Sequence, residues 1–235
     1  KTAQGNQDGN SIGDFYYEPP ANYLAMCTSN LPTPAVTPSE QFNTVQYTGD
    51  GSGALAITGV GFQPDFTWIK SKNTAVITGS HELHDAVRGA GKRLFSNTTA
   101  AETDFSTVDS FDSDGFTVGM GSGGQNGTNA SSAAFVAWNW KANGSGSSNT
   151  DGDITSTVSA NAAAGFSIVA YTATGTTGHT VGHGLGAVPD AIFIKSRTVN
   201  SWNCFFPNQS LFGATKGHQL DNAGAIGTVA WMNNT

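Results

Sequence analysis

Charge is scarce in this chain. Only 11% of its 235 residues are Asp, Glu, Lys or Arg, against about 25% in an ordinary domain. Ten Lys and Arg meet seventeen Asp and Glu, for a net charge of −7. The cations are spread thinly, with Lys70/Lys72 and Lys92/Arg93 as local pairs. That excludes the basic face on which nucleic-acid binding depends. Cysteine is nearly absent. Cys27 and Cys204 stand far apart, which excludes a disulfide framework and cysteine-based metal spacing. Glutamate occurs only as Glu18, Glu40, Glu82 and Glu102. No motif nominates the two carboxylates, roughly 5–10 Å apart, that a glycosidase needs. No run of 18 apolar residues exists to span a membrane. Helical periodicity is missing too. The best stretch for it, His81 to Arg93, is broken by Gly89 and Gly91.

What is plentiful is Gly, at 30 residues, about twice its usual share. Ser, Thr and Asn are plentiful as well. Hydrophobic residues reach 37% and aromatics 10%, so this is not a disordered composition, which pairs low hydrophobicity with high net charge. Short β-branched and aromatic runs between Gly/Asn turns read as an all-β chain of antiparallel sandwich or jelly-roll modules.

The strongest of these runs occurs twice. Gly59-Val-Gly-Phe-Gln-Pro64-Asp65 leads into Phe66-Thr-Trp68-Ile69-Lys70. Gly184-Leu-Gly-Ala-Val-Pro189-Asp190 leads into Ala191-Ile-Phe193-Ile194-Lys195. Pro64, Asp65, Trp68, Ile69 and Lys70 match Pro189, Asp190, Phe193, Ile194 and Lys195 at a constant offset of 125. Upstream, Phe42, Val45, Tyr47 and Thr48 match Phe166, Val169, Tyr171 and Thr172 at 124. Downstream, Asn97 matches Asn222 at 125. The period exceeds the roughly 20–50 residues of solenoids and propellers. It has the size of a domain, so the chain reads as tandem homologous β-modules.

In order, residues 1–38 hold two short strands, Asp14 to Glu18 and Tyr23 to Cys27. A Pro-rich linker from Leu31 to Pro38 follows. Two strands do not make a domain, so this segment is expected to close an upstream β-domain. Residues 39–142 form the first repeat, with strands at Val45 to Tyr47, Leu55 to Ile57, Phe66 to Lys70, Ala75 to Ile77, Phe116 to Val118 and Ala134 to Trp140. Alternation in the last puts Phe135 and Ala137 on one face, and Val136, Trp138 and Trp140 on the other. Met120 to Ser132 reads as a long loop. Residues 143–157, rich in Gly, Ser and Asn, read as a flexible linker. Residues 158–235 form a second repeat, with Phe166 to Tyr171 as its first strand. Nothing in it matches Phe111 to Trp140, so it is expected to be incomplete.

Phe15-Tyr-Tyr, Pro19-Pro20, Tyr23-Leu-Ala and Thr28-Ser-Asn-Leu31-Pro32 resemble the closing segment of SPRY-like, concanavalin-A-like domains of large virion proteins in marine tailed bacteriophages. Further motifs resemble an uncharacterised β-domain that follows such domains, often in tandem. They are Gly61-Phe-Gln-Pro-Asp65 with Trp68-Ile-Lys70, Ser80-His-Glu-Leu83 with Asp85 and Val87-Arg-Gly89, Phe111-Asp-Ser-Asp-Gly-Phe116, and Val136-Ala-Trp138 with Trp140-Lys141. The resemblance implies a virion structural protein located on the particle. It carries no catalytic residues.

Several clusters invite chemistry. His81-Glu-Leu-His84-Asp85 lacks the i, i+4 histidines of a zincin helix. His179 and His183 flank Gly182, with His218 further on. Asp109, Asp112 and Asp114 before Gly115 suggest a Ca²⁺ loop, as does Asp151-Gly-Asp153. The first fails the full Ca²⁺-loop pattern, and a hairpin turn explains it equally well. No metal or other cofactor is therefore assigned. Trp68, Trp138, Trp140, Trp202 and Trp231 suit a core, or a sugar-stacking face where exposed. The candidate glycan or partner contacts are Trp202, His179, His183 and His84.

The expected function is a non-enzymatic virion protein of tail-fibre or surface-appendage type, acting in adhesion or assembly. Its expected partners are other virion proteins, further copies of itself and host surface glycans. Three alternatives stand beside this reading. One is a capsid decoration protein. Another is a virion-associated glycan depolymerase, for which Asp85 and Asp112 are the first carboxylates to test. The third is a secreted bacterial adhesin or filament subunit.

Overall fold

Ala134 to Trp140, the stretch with the clearest alternation, lies at the heart of the fold. In the computed structural model, which describes residues 2–31, 36–72, 79–121, 127–206, 216–222 and 227–228, it is the ninth of sixteen strands. The strands are β1 (Phe42–Thr48), β2 (Leu55–Ile57), β3 (Phe66–Ser71), β4 (Glu82–Asp85), β5 (Lys92–Phe95), β6 (Thr103–Asp104), β7 (Val108–Asp112), β8 (Gly115–Val118) and β9 (Ala134–Trp140) in the first repeat. Then follow β10 (Ser147–Asn149), β11 (Ser156–Asn161), β12 (Phe166–Tyr171), β13 (Ile192–Lys195), β14 (Trp202–Phe205), β15 (Lys216–His218) and β16 (Gly227–Thr228). Among the described residues the helical turns are two 3-10 turns, Thr28–Asn30 and Pro38–Glu40. The fold is all-β. The strand expected at Ala75 to Ile77 lies outside the described residues, as does Trp231.

The first repeat is a sandwich. A six-stranded antiparallel sheet runs β1-β9-β3-β4-β5-β6, and a three-stranded one runs β2-β8-β7. Their facing sides bury Ile57, Ile69, Val108, Phe116, Val118, Phe135 and Ala137, with Val45 and Tyr47 packed alongside. In β9 the buried residues are Phe135, Ala137 and Asn139, while Val136, Trp138 and Trp140 are half-buried. That is the expected alternation, and it follows from the two-residue period of a strand. Gly115, at φ +154, is needed where β7 turns into β8, because a Cβ there would run into the carbonyl oxygen of Ile57. Gly115→Ala is expected to cost at least about 1–3 kcal/mol from the backbone conformation alone, read as a lowered urea midpoint.

The loop expected from Met120 to Ser132 carries Thr128 to Ala130 into the protein. Thr128 and Asn129 are fully buried. Asn129 Nδ2 donates to Asp50 Oδ1 at 3.0 Å and to the carbonyl of Ser52 at 2.9 Å. Polar sequence reads as surface, but a buried amide whose bonds are satisfied packs well.

The expected linker at 143–157 is corrected. It contains β10, which pairs with β11, and β11 continues the sheet to β12. Ser, Thr and Asn with little hydrophobicity look like linker, yet Ser156, Val158 and Ser159 in β11 are buried. The second repeat then forms the sheet β13-β14-β15-β16.

Residues 1–35 are a separate compact unit from 36–235. The strands expected at Asp14 to Glu18 and Tyr23 to Cys27 do not form; a single bridge joins Asn6 and Phe15. The unit is organised by one carboxylate instead. Asp8 accepts from the backbone of Ala25 at 2.7 Å, Asn10 at 2.9 Å and Ile12 at 3.0 Å, and from Asn30 Nδ2 at 2.7 Å. These donors, the Ala25 amide first, pull its pKa down to about 2. A strand needs a partner for its backbone; here a side chain takes those bonds.

Candidate functional site

The most chemical-looking stretch, Glu82-Leu83-His84-Asp85, is β4, and all four of its residues are buried. It lies between β3 and β5 in the large sheet. Its register sets Glu82 opposite Ile69 and His84 opposite Thr67, both residues buried in the sheet. A carboxylate and an imidazole thus sit within the sandwich, where unpaired polar groups would be costly. Each is partnered. Thr107 Oγ1 donates to Glu82 Oε2 at 2.8 Å, Arg93 Nη1 reaches Glu82 Oε1 at 3.4 Å, and His84 Nε2 lies 3.5 Å from Glu82 Oε2. His84 Nδ1 meets the carbonyl of Ala90 at 2.8 Å. Arg93 also lies over the rings of Phe95 and Phe105. Burial pushes the Glu82 carboxyl upward, but His84, Arg93 and Thr107 outweigh it and hold the pKa below its ordinary value.

A second ionic chain reaches between the repeats. Arg88 Nε binds Asp85 at 2.5 Å and Arg88 Nη1 binds Glu102 Oε2 at 3.1 Å. Glu102 also takes Arg197 of the second repeat, at 2.6 Å and 3.0 Å. Burial raises the Glu102 pKa; the hydrogen bonds from Arg197 and Arg88 overcome this and lower it. The two arginines are unequal, since Arg88 is buried with its partners and Arg197 is mostly exposed. Arg88→Ala is therefore expected to cost about 3–5 kcal/mol, by leaving the buried Asp85 carboxylate without its cation. Arg197→Ala is expected to cost less than about 1 kcal/mol. Chemical denaturation of both variants checks the contrast. The short-range sequence signals missed this chain, although a rare Arg in so uncharged a sequence was the clue.

Beside it runs an apolar seam. The outer face of the large sheet carries Phe66, Trp68, Leu83 and Leu94, and onto these pack Trp202 and Leu220. Trp202 Nε1 donates to the carbonyl of Phe95 at 2.7 Å. The Asn200 amide bonds the carbonyl of Thr99, and the Glu102 amide that of Arg197. Further along, Phe166 stacks on Trp140 at 6.1 Å. The tryptophans of β3 and β9 thus meet the second repeat or one another.

Two of the four expected contact residues are corrected. Trp202 is 8% exposed and His84 is 0% exposed, so neither meets a ligand in this fold. His179 is exposed, with Nδ1 2.9 Å from Thr174 Oγ1. His183 is half-buried, and its Nδ1 accepts the Leu185 amide at 3.2 Å. Among the described residues no group of three His, Cys, Asp or Glu is placed to hold a metal ion. The Asp-rich turns have protein donors. Asp114 accepts the amides of Gly59 and Gly61, and Asp112 the hydroxyls of Ser110 and Thr117. Asp153 holds the amide and hydroxyl of Thr180. Asp85 and Asp112 lie on different sheets, β4 and β7, each already bonded.

The region from 37 to 235 matches the model of a family described as a domain of unknown function, DUF7483. The chain belongs to this family. The DUF7483 region takes in both repeats together with the seam and ionic chain that join them. No curated protein and no solved structure matches the chain. No helix among the described residues of this DUF7483 chain is long and apolar enough to cross a membrane.

Proposed function

We propose that the chain is a structural component of a virion, of tail-fibre or surface-appendage type, that works by adhesion and assembly without catalysis. One observation carries the assembly half of this reading. Among the described residues between 36 and 206, large apolar side chains stand exposed mainly on the second repeat, as Tyr171, Val188, Phe193 and Val199, with Phe42 on the first. The first repeat spends its apolar residues in its own sandwich and in the seam. Exposed apolar groups suit contact with another protein surface. The virion half rests on the sequence motifs set out above. In this role the partners are other virion proteins and further copies of the chain, with host glycans met by exposed loops such as the one carrying His179. The internally bonded carboxylates of β4 act as scaffold.

Immunogold electron microscopy of particles from the source organism, with antibody raised against this chain, tests the proposal. Label along tail fibres or surface appendages is the expected result. Label distributed over the capsid lattice makes the chain a decoration protein. Label absent from virions and present on cell surfaces overturns the virion reading in favour of an adhesin or filament subunit.

A further inference from the structure

We infer that His81 is a proton-sensitive latch on the joint between the repeats: with Nδ1 bare it holds the Trp68 indole in the seam, and acid releases the indole and loosens the seam. The inference starts from one hydrogen bond. Trp68 Nε1 donates to His81 Nδ1 at 2.8 Å, with the two rings edge to face at 5.8 Å. An indole nitrogen only donates. Nδ1 therefore offers its lone pair, and the single proton of the neutral ring sits on Nε2. A second proton has to enter at Nδ1, head-on to the indole N–H. The bond and the imidazolium exclude each other.

The surroundings favour the bare ring. Burial of the imidazole comes first and the charge of Lys70 second, and together they hold its pKa below the ordinary 6.5. Lys70 belongs to β3 and sets its Nζ on the Gly79 carbonyl at 2.8 Å. Glu82, next in the chain, turns the other way, to Thr107 inside the sandwich. Around Trp68 and His81, β9 brings Trp138 and the end of β5 brings Asn97, both uncharged. Residues 73–78, between β3 and β4, carry no ionisable side chain. The unfolded chain thus takes up the proton more readily than the folded one. The stability this ring contributes is fully present above 6.5 and is lost as pH falls through the lower folded value.

The seam is what the latch holds. Trp68 packs on the cluster of Leu83, Leu94 and Trp202. The backbone of His81 is tied to the end of β5: its carbonyl accepts the Ser96 amide at 3.2 Å, and its amide donates to Asn97 Oδ1 at 3.0 Å. One residue earlier, the Phe95 carbonyl takes the Trp202 indole at 2.7 Å. His81 thus grips the seam through its ring and through its backbone. The second repeat lacks this pair. Asn203 faces Ile194 as Glu82 faces Ile69, so Trp202 stands in the place of His81 and Phe193 in that of Trp68. Protonation of a histidine becomes a structural event when it biases a contact between two packed elements. Here the elements are two modules of one chain. The latch does not depend on whether the chain belongs to a virion.

Nuclear magnetic resonance of the indole N–H groups of the purified chain, from about pH 7.5 to about pH 4.5, tests it. The Trp68 resonance, assigned by its absence from Trp68→Phe, is expected to shift along one titration with a midpoint below 6.5. Over the same range Trp202 Nε1–H is expected to exchange about two- to tenfold faster, relative to the unfolded chain at each pH, the effect of one lost neutral hydrogen bond. His81→Gln, whose carboxamide oxygen accepts the indole N–H at any pH, is expected to remove both responses. His81→Phe, which has no acceptor, is expected to give the fast Trp202 exchange already at about pH 7.5. A Trp68 resonance that does not titrate overturns the inference. So does a Trp68 shift with unchanged Trp202 exchange, and so does a response that survives in His81→Gln.

Discussion

Trp202→Ala is expected to lower stability by about 3–5 kcal/mol, the largest effect of any single apolar substitution among the described residues of the second repeat. The indole is buried against Leu83 and Leu94, beside Phe66, Trp68 and Leu220. It also donates Nε1–H to the Phe95 carbonyl. Truncation thus opens a cavity at the seam and strands a carbonyl. Trp202→Phe separates the two contributions: it keeps most of the ring and is expected to cost about 1–3 kcal/mol, the penalty of the unpaired carbonyl. Urea denaturation followed by circular dichroism gives both numbers. Because the indole ties one repeat to the other, Trp202→Ala should also split the transition, with the second repeat melting first. A single transition shifted by less than about 1 kcal/mol would mean that the seam is not a core.

Glu82→Ala is expected to cost a comparable amount, about 3–5 kcal/mol, for a different reason. It leaves Arg93 and His84 without their carboxylate and Thr107 without its acceptor, all in the interior. The pH dependence is the sharper readout. The folded Glu82 carboxyl has its pKa lowered from 4.5: burial raises it, but His84, Arg93 and Thr107 together prevail. The stability this contributes is fully present above the unfolded value of 4.5 and is lost as pH falls through the lower folded value. Glu82→Gln, which keeps the shape, is expected to flatten the acid limb of the stability profile. An acid limb identical to that of the parent protein would show that the network around Glu82 does not set it.

The two repeats differ in how they use one ancestral pattern. Ile69 and Ile194 occupy the same register, yet the first is sealed by β9 and the facing sheet and the second is half-buried. Burial is a property of neighbours, and among the described residues the second repeat has fewer of them. This also explains why Phe193 and Tyr171 stand out in water. They occupy positions that the first repeat covers, and they retain the residue types suited to cover.

Sequence alone determined that this chain is all-β, that β1 and β3 recur as β12 and β13, and which face of β9 turns inward. Those properties are local. The two-residue period, the Gly turns and the constant offset can be read without knowing what lies across the sheet. The tertiary structure decided the rest. It buried His84 and Trp202, made β10 and β11 out of an expected linker, and drew 1–35 around Asp8 instead of into strands. It also set the outer aromatics of the large sheet against the second repeat. A tryptophan on the outer face of β3 reads the same whether it meets solvent, a sugar or another module. Only the packing of residues more than a hundred positions apart, as when Trp202 meets Phe95, distinguishes these cases, because burial and ion pairing are set by neighbours in space and not by neighbours in sequence.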